Sequence, residues 1–263
     1  MELLQESKLA QYGKQQSSIK VCENIKYRSL YFQNNVLQSR MDRQYPERLC
    51  LSYTEYMMLP LLFEQYTQPQ RILIIGVGGG SFIRFFEHYY SSAKIIGIEF
   101  SQRVLDIAQE HFLLKTNPQV QLICDCGRSF LENCTEDFDL ILIDAFDHKG
   151  MAETIYSTPF FALCAEHLTS GGIVSCNTWS GDSRLSENVF DTFKAHFKDS
   201  LYCPVPERGN IILLGCKEHV PWGQLHPRNS FLLQQKQRLG IDFTKMITIA
   251  RRANIPLWKR LFS

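Results

Sequence analysis

The chain has 263 residues, is 44% hydrophobic, and carries 28 Lys plus Arg against 27 Asp plus Glu. That length suits one α/β domain with a small companion, and the near-neutral charge gives no electrostatic case for nucleic acid or an anionic membrane surface as a partner. No apolar run reaches about 18 residues, so no membrane span is expected, and MELLQESKLAQYGKQQSS lacks the basic-then-apolar pattern of an export signal.

Residues 19–40 partly alternate apolar and polar positions around the Gln33-Asn34-Asn35 turn signal, which predicts a small β-sheet of two to four strands. YTEYMMLPLLFEQY, residues 53–66, reads as helical, with Pro60 near a kink or start. From Arg71 the pattern changes. RILIIG is a continuous apolar run, as a strand buried on both faces of a parallel sheet requires. A glycine cluster follows, then SFIRFFEHYY at helical spacing. AKIIGIEF, QVQLICD, FDLILIDAF and GGIVSCNTW read as further strands, and QRVLDIAQEHF, RSFLENC, TPFFALCAEHL and SENVFDTFKAHF as the helices around them. SLYCPVPERGNIILLGCK reads as two strands about the turn at Arg208-Gly209-Asn210. This alternation predicts an α/β fold, a Rossmann-like doubly wound sheet with an antiparallel edge. The expected divisions are an N-terminal β domain over 1–57, a nucleoside-binding domain over 58–220, and a helical C-terminal tail over 221–263.

Ligands of such sheets sit at the carboxyl ends of the strands, near the reversal of strand order. The first strand ends in Gly76-Val77-Gly78-Gly79-Gly80-Ser81, where glycine lets the backbone approach a ligand. Ser81 departs from the nicotinamide fingerprint, so a nucleoside without pyrophosphate fits better. Glu99, 23 residues after Gly76, ends the second strand, where an acid can accept ribose hydroxyls. Asp125 ends the third and suits an adenine amino group. Asp144 ends the fourth, emerging from the apolar run DLILI. An ionised carboxylate buried there is costly unless paired, and a cationic ligand would supply the pairing; a helix N-cap or a structural contact to the glycine-loop amides is the other reading. Nine cysteines, most inside apolar runs, read as reduced thiols of a cytoplasmic protein. Cys124 and Cys126 have no second pair to complete a tetrahedral set, so no metal is expected.

These segments resemble the spermidine synthase (polyamine aminopropyltransferase) family, in its spermidine-synthase-like branch, from about Ser17 to Gly215. ILIIGVGGGSFIRFF is similar to the family's glycine motif, IIGIEF to its ribose-binding strand, and DLILIDAFDHKGMAETIYSTPFFALCAEHLTSGGIV to its catalytic strand and following helix. YTEYMMLP resembles the segment between β domain and core. The resemblance implies a methyltransferase-type Rossmann domain behind a β domain, assembled as a homodimer or higher homo-oligomer. It implies decarboxylated S-adenosylmethionine, or S-adenosylmethionine, as co-substrate and a small-molecule amine such as putrescine as acceptor. It implies Asp144 as catalytic base, Asp147 as an amine contact, Glu99 for ribose, and Asp125 with Cys126 near adenine. Four positions depart from the family pattern: Gly79 stands for an Asp, Thr54 for a His, Met151 for a Pro, and Ser17 or Gln16 for a Gln.

Other candidates come from position. Tyr53 and Glu55 could line the amine pocket or pack a helix, and Gln38 could reach the pocket or face solvent. Trp179 could cover the adenine or substrate or join the core, and His148 is a proton shuttle or a loop histidine. Two alternatives to aminopropyl transfer stay open: an S-adenosylmethionine-dependent methyltransferase, and a non-catalytic protein retaining the fold.

Overall fold

A computed structural model of the chain describes residues 6–12, 19–32, 35–63, 68–147, 150–151, 154–181, 183–219, 226 and 230–254, with the side chains at 147, 150–151 and 183–187 outside that description. Strands β1 (Ser7–Tyr12), β2 (Ile19–Glu23), β3 (Tyr27–Phe32) and β4 (Val36–Asp42) form an antiparallel sheet in chain order. Val21, Leu30 and Met41 on this sheet are buried in one cluster with Ile107 and Phe112 of the main domain, which docks the small sheet on that domain. β1 lies ahead of the segment that the sequence marks as strand, because SKLAQY shows little apolar alternation.

Helix α1 (Ser52–Tyr56) is short. The sequence predicts a helix across 53–66, but the chain tightens instead into a 3-10 turn at Leu59–Leu62 with Pro60 near its start. Pro60 has no N–H and its ring would clash with a preceding helical turn, so the longer helix cannot continue through it. Residues 64–67 lie outside the described residues.

The large sheet has seven strands: β5 (Arg71–Ile75), β6 (Lys94–Glu99), β7 (Val120–Cys124), β8 (Phe138–Ile143), β11 (Leu168–Trp179), β12 (Asp199–Pro204) and β13 (Asn210–Cys216). Between β8 and β11 sits a two-stranded ribbon, β9 (Phe146–Asp147) with β10 (Gly150–Met151). The order is β12-β13-β11-β8-β5-β6-β7, parallel from β11 to β7, with β13 antiparallel to both its neighbours. The order reverses between β5 and β8, which is where a doubly wound sheet opens a crevice.

Continuous apolar strands are explained by burial on both faces. Ile72 and Ile74 of β5 point into one core, Leu73 and Ile75 into the other. Helix α2 (Ser81–Tyr89) buries Phe82, Ile83, Phe85 and Phe86, and α3 (Gln102–His111) buries Val104, Leu105, Ile107 and Ala108. Helices α4 (Gly127–Asn133), α5 (Thr158–Glu166) and α6 (Ser183–Lys194) follow in turn. The C-terminal helices α7 (Ser230–Leu239) and α8 (Phe243–Asn254) share one core with β12 and β13 through Leu239, Phe243, Met246 and Ile247 against Leu201, Cys203 and Ile212. Asn254 ties α8 to the edge strand, accepting from Tyr202 N at 3.0 Å and donating to Tyr202 O at 2.6 Å.

Candidate active site

The crevice begins where three parallel strands end together. Gly76 N donates to Ile98 O at 2.9 Å, and Asp144 N donates to Ile75 O at 2.8 Å, so the ends of β5, β6 and β8 are fixed to one another. Gly76 has φ +94°, and a Cβ there would lie 2.2 Å from Asp144 O. Only glycine fits that close approach. Gly78, with φ +52°, would point a Cβ into open space. Its bare backbone therefore faces the crevice.

Glu99 closes the glycine loop from the next strand. Its Oε2 accepts from Val77 N at 3.1 Å and Gly78 N at 3.2 Å, and its Oε1 accepts from Ser101 N at 3.1 Å. Burial pushes its pKa up, and the backbone donors oppose that shift. At the end of β7, Asp125 Oδ1 accepts from Cys126 N at 2.7 Å, where the chain enters α4.

Asp144 stands at the centre. Tyr53 from α1 donates to its Oδ2 at 3.0 Å, and Asn177 from β11 donates to its Oδ1 at 2.8 Å. The sequence leaves a cationic ligand as the partner of this carboxylate, whereas two neutral donors already hold it. Burial raises its pKa to about 6, the two hydrogen bonds pull it down, and the charge of Glu99 adds to the rise. Each carboxylate oxygen retains a lone pair for a ligand proton. Burial and the neighbouring carboxylate push Tyr53 well above its usual pKa, so it remains a donor.

Behind these groups lies a second layer. Asn177 Oδ1 accepts from Asn210 Nδ2 at 3.0 Å, and the Asn177 carbonyl accepts from the Tyr156 hydroxyl at 2.7 Å. The same phenol lies beside the end of β8, where burial first and then nearby charge, that of Asp144 included, push its pKa well up. Tyr156 thus holds the end of β11 next to the end of β8.

All of this opens on one cavity of ≈ 850 Å³. The structure brings Gly76, Gly78, Gly79, Glu99, Asp125, Cys126, Asp144, Tyr53 and Gln38 to its wall, together with Trp179. Gly80 is not among the lining residues; with φ +74° it caps α2, and a Cβ there would meet Leu114. Glu55 does not line the cavity either. Burial and the charge of Asp242, from the turn between the C-terminal helices, push its pKa up to about 7. Asp147 pairs through its backbone with Gly150, and its side chain, like that of Met151, lies outside the described residues. Gln16, Ser17 and His148 are also outside them.

Two departures noted in the sequence have local explanations. A Cβ on Gly79 would lie 2.6 Å from Ser39 Oγ, so β4 fills the space a side chain there would need. Thr54 is buried and donates to Leu51 O at 2.6 Å. Sequence reasoning missed Asn177, Asn210 and Tyr156. The available signal was Asn177, a buried polar residue near the carboxyl end of an apolar strand.

Residues 51–212 match the family model described as the spermine/spermidine synthase domain. The chain belongs to that family. A polyamine aminopropyltransferase of Neisseria meningitidis serogroup A is 29% identical over 238 residues, spanning 89% of each chain. One from Chromobacterium violaceum is 28% identical over 243 residues, spanning 90% of each. Among solved structures, a probable spermidine synthase from Corynebacterium glutamicum superposes with a TM-score of 0.74 at 20% identity, covering 89% of this chain and 88% of that one. A human methyltransferase-like protein 13 in complex with SAH gives 0.61 at 19% identity, covering 76% of this chain and 93% of that one. At these identities the structures speak for the fold. In this spermidine synthase family member the α/β sheet with its N-terminal β domain is the shared architecture. Among the described residues no helix is long and apolar enough to cross a membrane.

Proposed function

We propose that the chain is a polyamine aminopropyltransferase, moving an aminopropyl group from decarboxylated S-adenosylmethionine to an amine such as putrescine. The observation that carries this is Asp144, held between Tyr53 and Asn177 in the cavity that Glu99 and the glycine loop also line. The glycine loop and Glu99 would cradle the ribose, and Asp125 with Cys126 would meet the adenine. Asp147 would hold the amine by charge.

The acceptor amine is protonated near neutral pH and cannot attack until it loses a proton. A carboxylate with pKa raised to about 6 accepts that proton better than an ordinary aspartate. The amine nitrogen then bonds to the carbon attached to sulfur, the carbon–sulfur bond breaks, and its electron pair goes to sulfur. The sulfonium leaves as a neutral thioether, so no general acid is needed. Positioned base catalysis contributes roughly 10²–10⁴-fold, and holding nitrogen and carbon about 3–3.5 Å apart supplies much of the rest. The nine free thiols support a reducing, cytoplasmic setting, with the chain working as a homodimer or higher homo-oligomer.

The test is incubation with decarboxylated S-adenosylmethionine and putrescine, followed by assay for methylthioadenosine. Formation of methylthioadenosine, lost in Asp144→Asn with nucleoside binding kept, is the expected result. Formation of adenosylhomocysteine from S-adenosylmethionine instead would replace aminopropyl by methyl transfer, and neither product would leave a binding protein.

A further inference from the structure

Helix α2 buries an arginine among its phenylalanines. Arg84 is 7% exposed, and its hydrogen-bond partners among the described residues are all neutral. Its Nε donates to Pro46 O at 3.0 Å, and its Nη1 donates to Gly79 O and to Phe112 O, the latter at 2.8 Å. Its Nη2 has the hydroxyl of Ser81 at 3.5 Å, a weak contact. Burial lowers the pKa of Arg84 to about 10, so the guanidinium is still charged at neutral pH. A buried charge that meets no opposite charge in contact is costly, so stability alone is a poor reason for arginine at this position.

The three carbonyls belong to separate segments. Pro46 lies between β4 and α1, Gly79 is in the glycine loop, and Phe112 follows the end of α3. The Gly79–Gly80 peptide is pinned at both ends, its carbonyl by Arg84 and its N–H by Val77 O at 2.8 Å. Glu99 holds the preceding N–H groups, those of Val77 and Gly78. The loop is therefore clamped between a carboxylate that lines the cavity and a guanidinium that does not. Gly78 and Gly80, at φ +52° and +74°, bring wide backbone freedom, so peptides of this loop turn easily unless held. A guanidinium directs five N–H groups in a fixed plane and can serve three carbonyls at once, which a lysine ammonium cannot do in the same geometry. We propose that Arg84 is a positioning residue for the nucleoside co-substrate, holding the glycine-loop peptides from behind in the arrangement that turns Glu99 and the loop backbone toward the ribose. This rests on the reading of that loop as the nucleoside site.

The rival role is a plain brace between segments. A brace would lower Tm when removed and would damage nucleoside binding, amine binding and turnover together. A positioning residue acts on the nucleoside alone, because the amine meets Asp144 from other elements, Tyr53 on α1 and Asn177 on β11.

The experiment compares wild type with Arg84→Lys, which keeps the charge and removes the fork, and with Arg84→Ala, all well below their melting temperatures. Arg84→Lys should bind methylthioadenosine about tenfold more weakly by calorimetry, the scale of one hydrogen bond to a charged group. Its KM for putrescine should stay within about twofold and its kcat at saturating nucleoside within about threefold, as expected when only binding is lost. In Arg84→Ala, added methylguanidinium should recover part of the nucleoside affinity, and methylammonium should not. Hydrogen exchange gives a reading that needs no variant: in unliganded wild type the Gly80 N–H should already exchange slowly, because the loop is set before the nucleoside arrives. Rapid exchange there, an unchanged affinity in Arg84→Lys, or a joint loss of nucleoside affinity, amine KM and kcat without rescue would overturn the proposal. Failure of the wider reading looks different: wild type would bind no methylthioadenosine, while exchange at Gly80 in wild type and Arg84→Lys would still report whether Arg84 sets the loop.

Discussion

Asn210 Nδ2 donates to Asn177 Oδ1 at 3.0 Å, and this contact decides which end of the Asn177 amide faces Asp144. With its oxygen committed to Asn210, Asn177 can present only its NH2 to the carboxylate, at 2.8 Å. Asn210→Ala frees the amide to turn. The hydrogen bond that lowers the Asp144 pKa is then weakened, so that pKa should climb further above about 6. The acid limb of the kcat/KM profile should move to higher pH, with activity at neutral pH falling about threefold to tenfold. A profile superimposable on wild type would separate Asn210 from the base.

Asp144 should also be a cost to stability. Its folded pKa is raised from 3.8 to about 6, so the folded protein binds the proton more tightly than the unfolded chain. Below about pH 3.8 both states are protonated and nothing is lost. As pH rises from there through about 6, the unfolded state ionises first and stability falls, by up to about 3 kcal/mol for a shift of this size. Asp144→Asn removes the ionisation and can still hydrogen-bond Asn177 and Tyr53. It should therefore raise Tm at pH 7.5, with a gain of about 1–3 kcal/mol that disappears near pH 4, while turnover is lost. Chemical denaturation at the two pH values checks both signs.

Glu99→Gln tests the nucleoside side. The carboxylate accepts three backbone N–H groups, two on one oxygen and one on the other. A glutamine amide must turn its NH2 toward at least one of them, donor against donor, and loses acceptor capacity for ribose. Methylthioadenosine affinity should fall about tenfold to a hundredfold by calorimetry, with the Gly76–Gly80 amides exchanging faster with solvent deuterium. Unchanged affinity would remove Glu99 from the nucleoside site.

The same residues show why some of the site was legible in the sequence and some was not. Asp144 could be read because an acid ending the apolar run DLILI is costly to bury without a partner, although the run alone does not separate a ligand-facing acid from a helix cap. Gly76 could be read because glycine marks a turn, although its closeness to the Asp144 carbonyl could not. Tyr53 is 91 residues from Asp144, so its role as a donor depends on how the α1 segment crosses the sheet ends. Asn177 and Asn210 are 33 residues apart and meet only because β13 inserts beside β11, a strand order that the pattern does not encode. Tyr156 lies in a segment preceding a helix, where nothing in the neighbouring residues marks its partner Asn177, 21 positions on. The helix expected over 53–66 failed at Pro60, where local geometry overrode an apolar spacing that fits a helix. Patterns of two or three residues carried the sheet; contacts across strands carried the chemistry.

Tyr156 gives the clearest test of that second layer. Its hydroxyl donates to the Asn177 carbonyl at 2.7 Å, and its ring is buried in the core. Tyr156→Phe keeps the ring and removes only that hydrogen bond. A purely structural tyrosine would cost about 1–2 kcal/mol of stability for one unpaired backbone carbonyl and leave the pH profile alone. A positioning tyrosine would do that and also loosen Asn177 against Asp144, lowering kcat about tenfold with KM for the nucleoside unchanged and moving the acid limb upward.

Gly79 and Ser39 provide the last test, between the two domains. A Cβ on Gly79 would stand 2.6 Å from Ser39 Oγ and 2.9 Å from Ser39 Cβ, both too close for real atoms. Ser39 is buried and its Oγ shares a hydrogen bond with Ser81 Oγ at 3.2 Å, so it has little room to retreat. Gly79→Ala should destabilise by about 1–3 kcal/mol through overpacking. Ser39→Gly should cost about 1 kcal/mol for the lost hydrogen bond and added chain entropy. Because Ser39→Gly removes both clashing atoms, the double variant should be more stable than the sum of the two single effects by about 1 kcal/mol or more in a double-mutant cycle. Simple additivity would mean that β4 moves away freely, and that the small sheet does not set which side chain position 79 can carry.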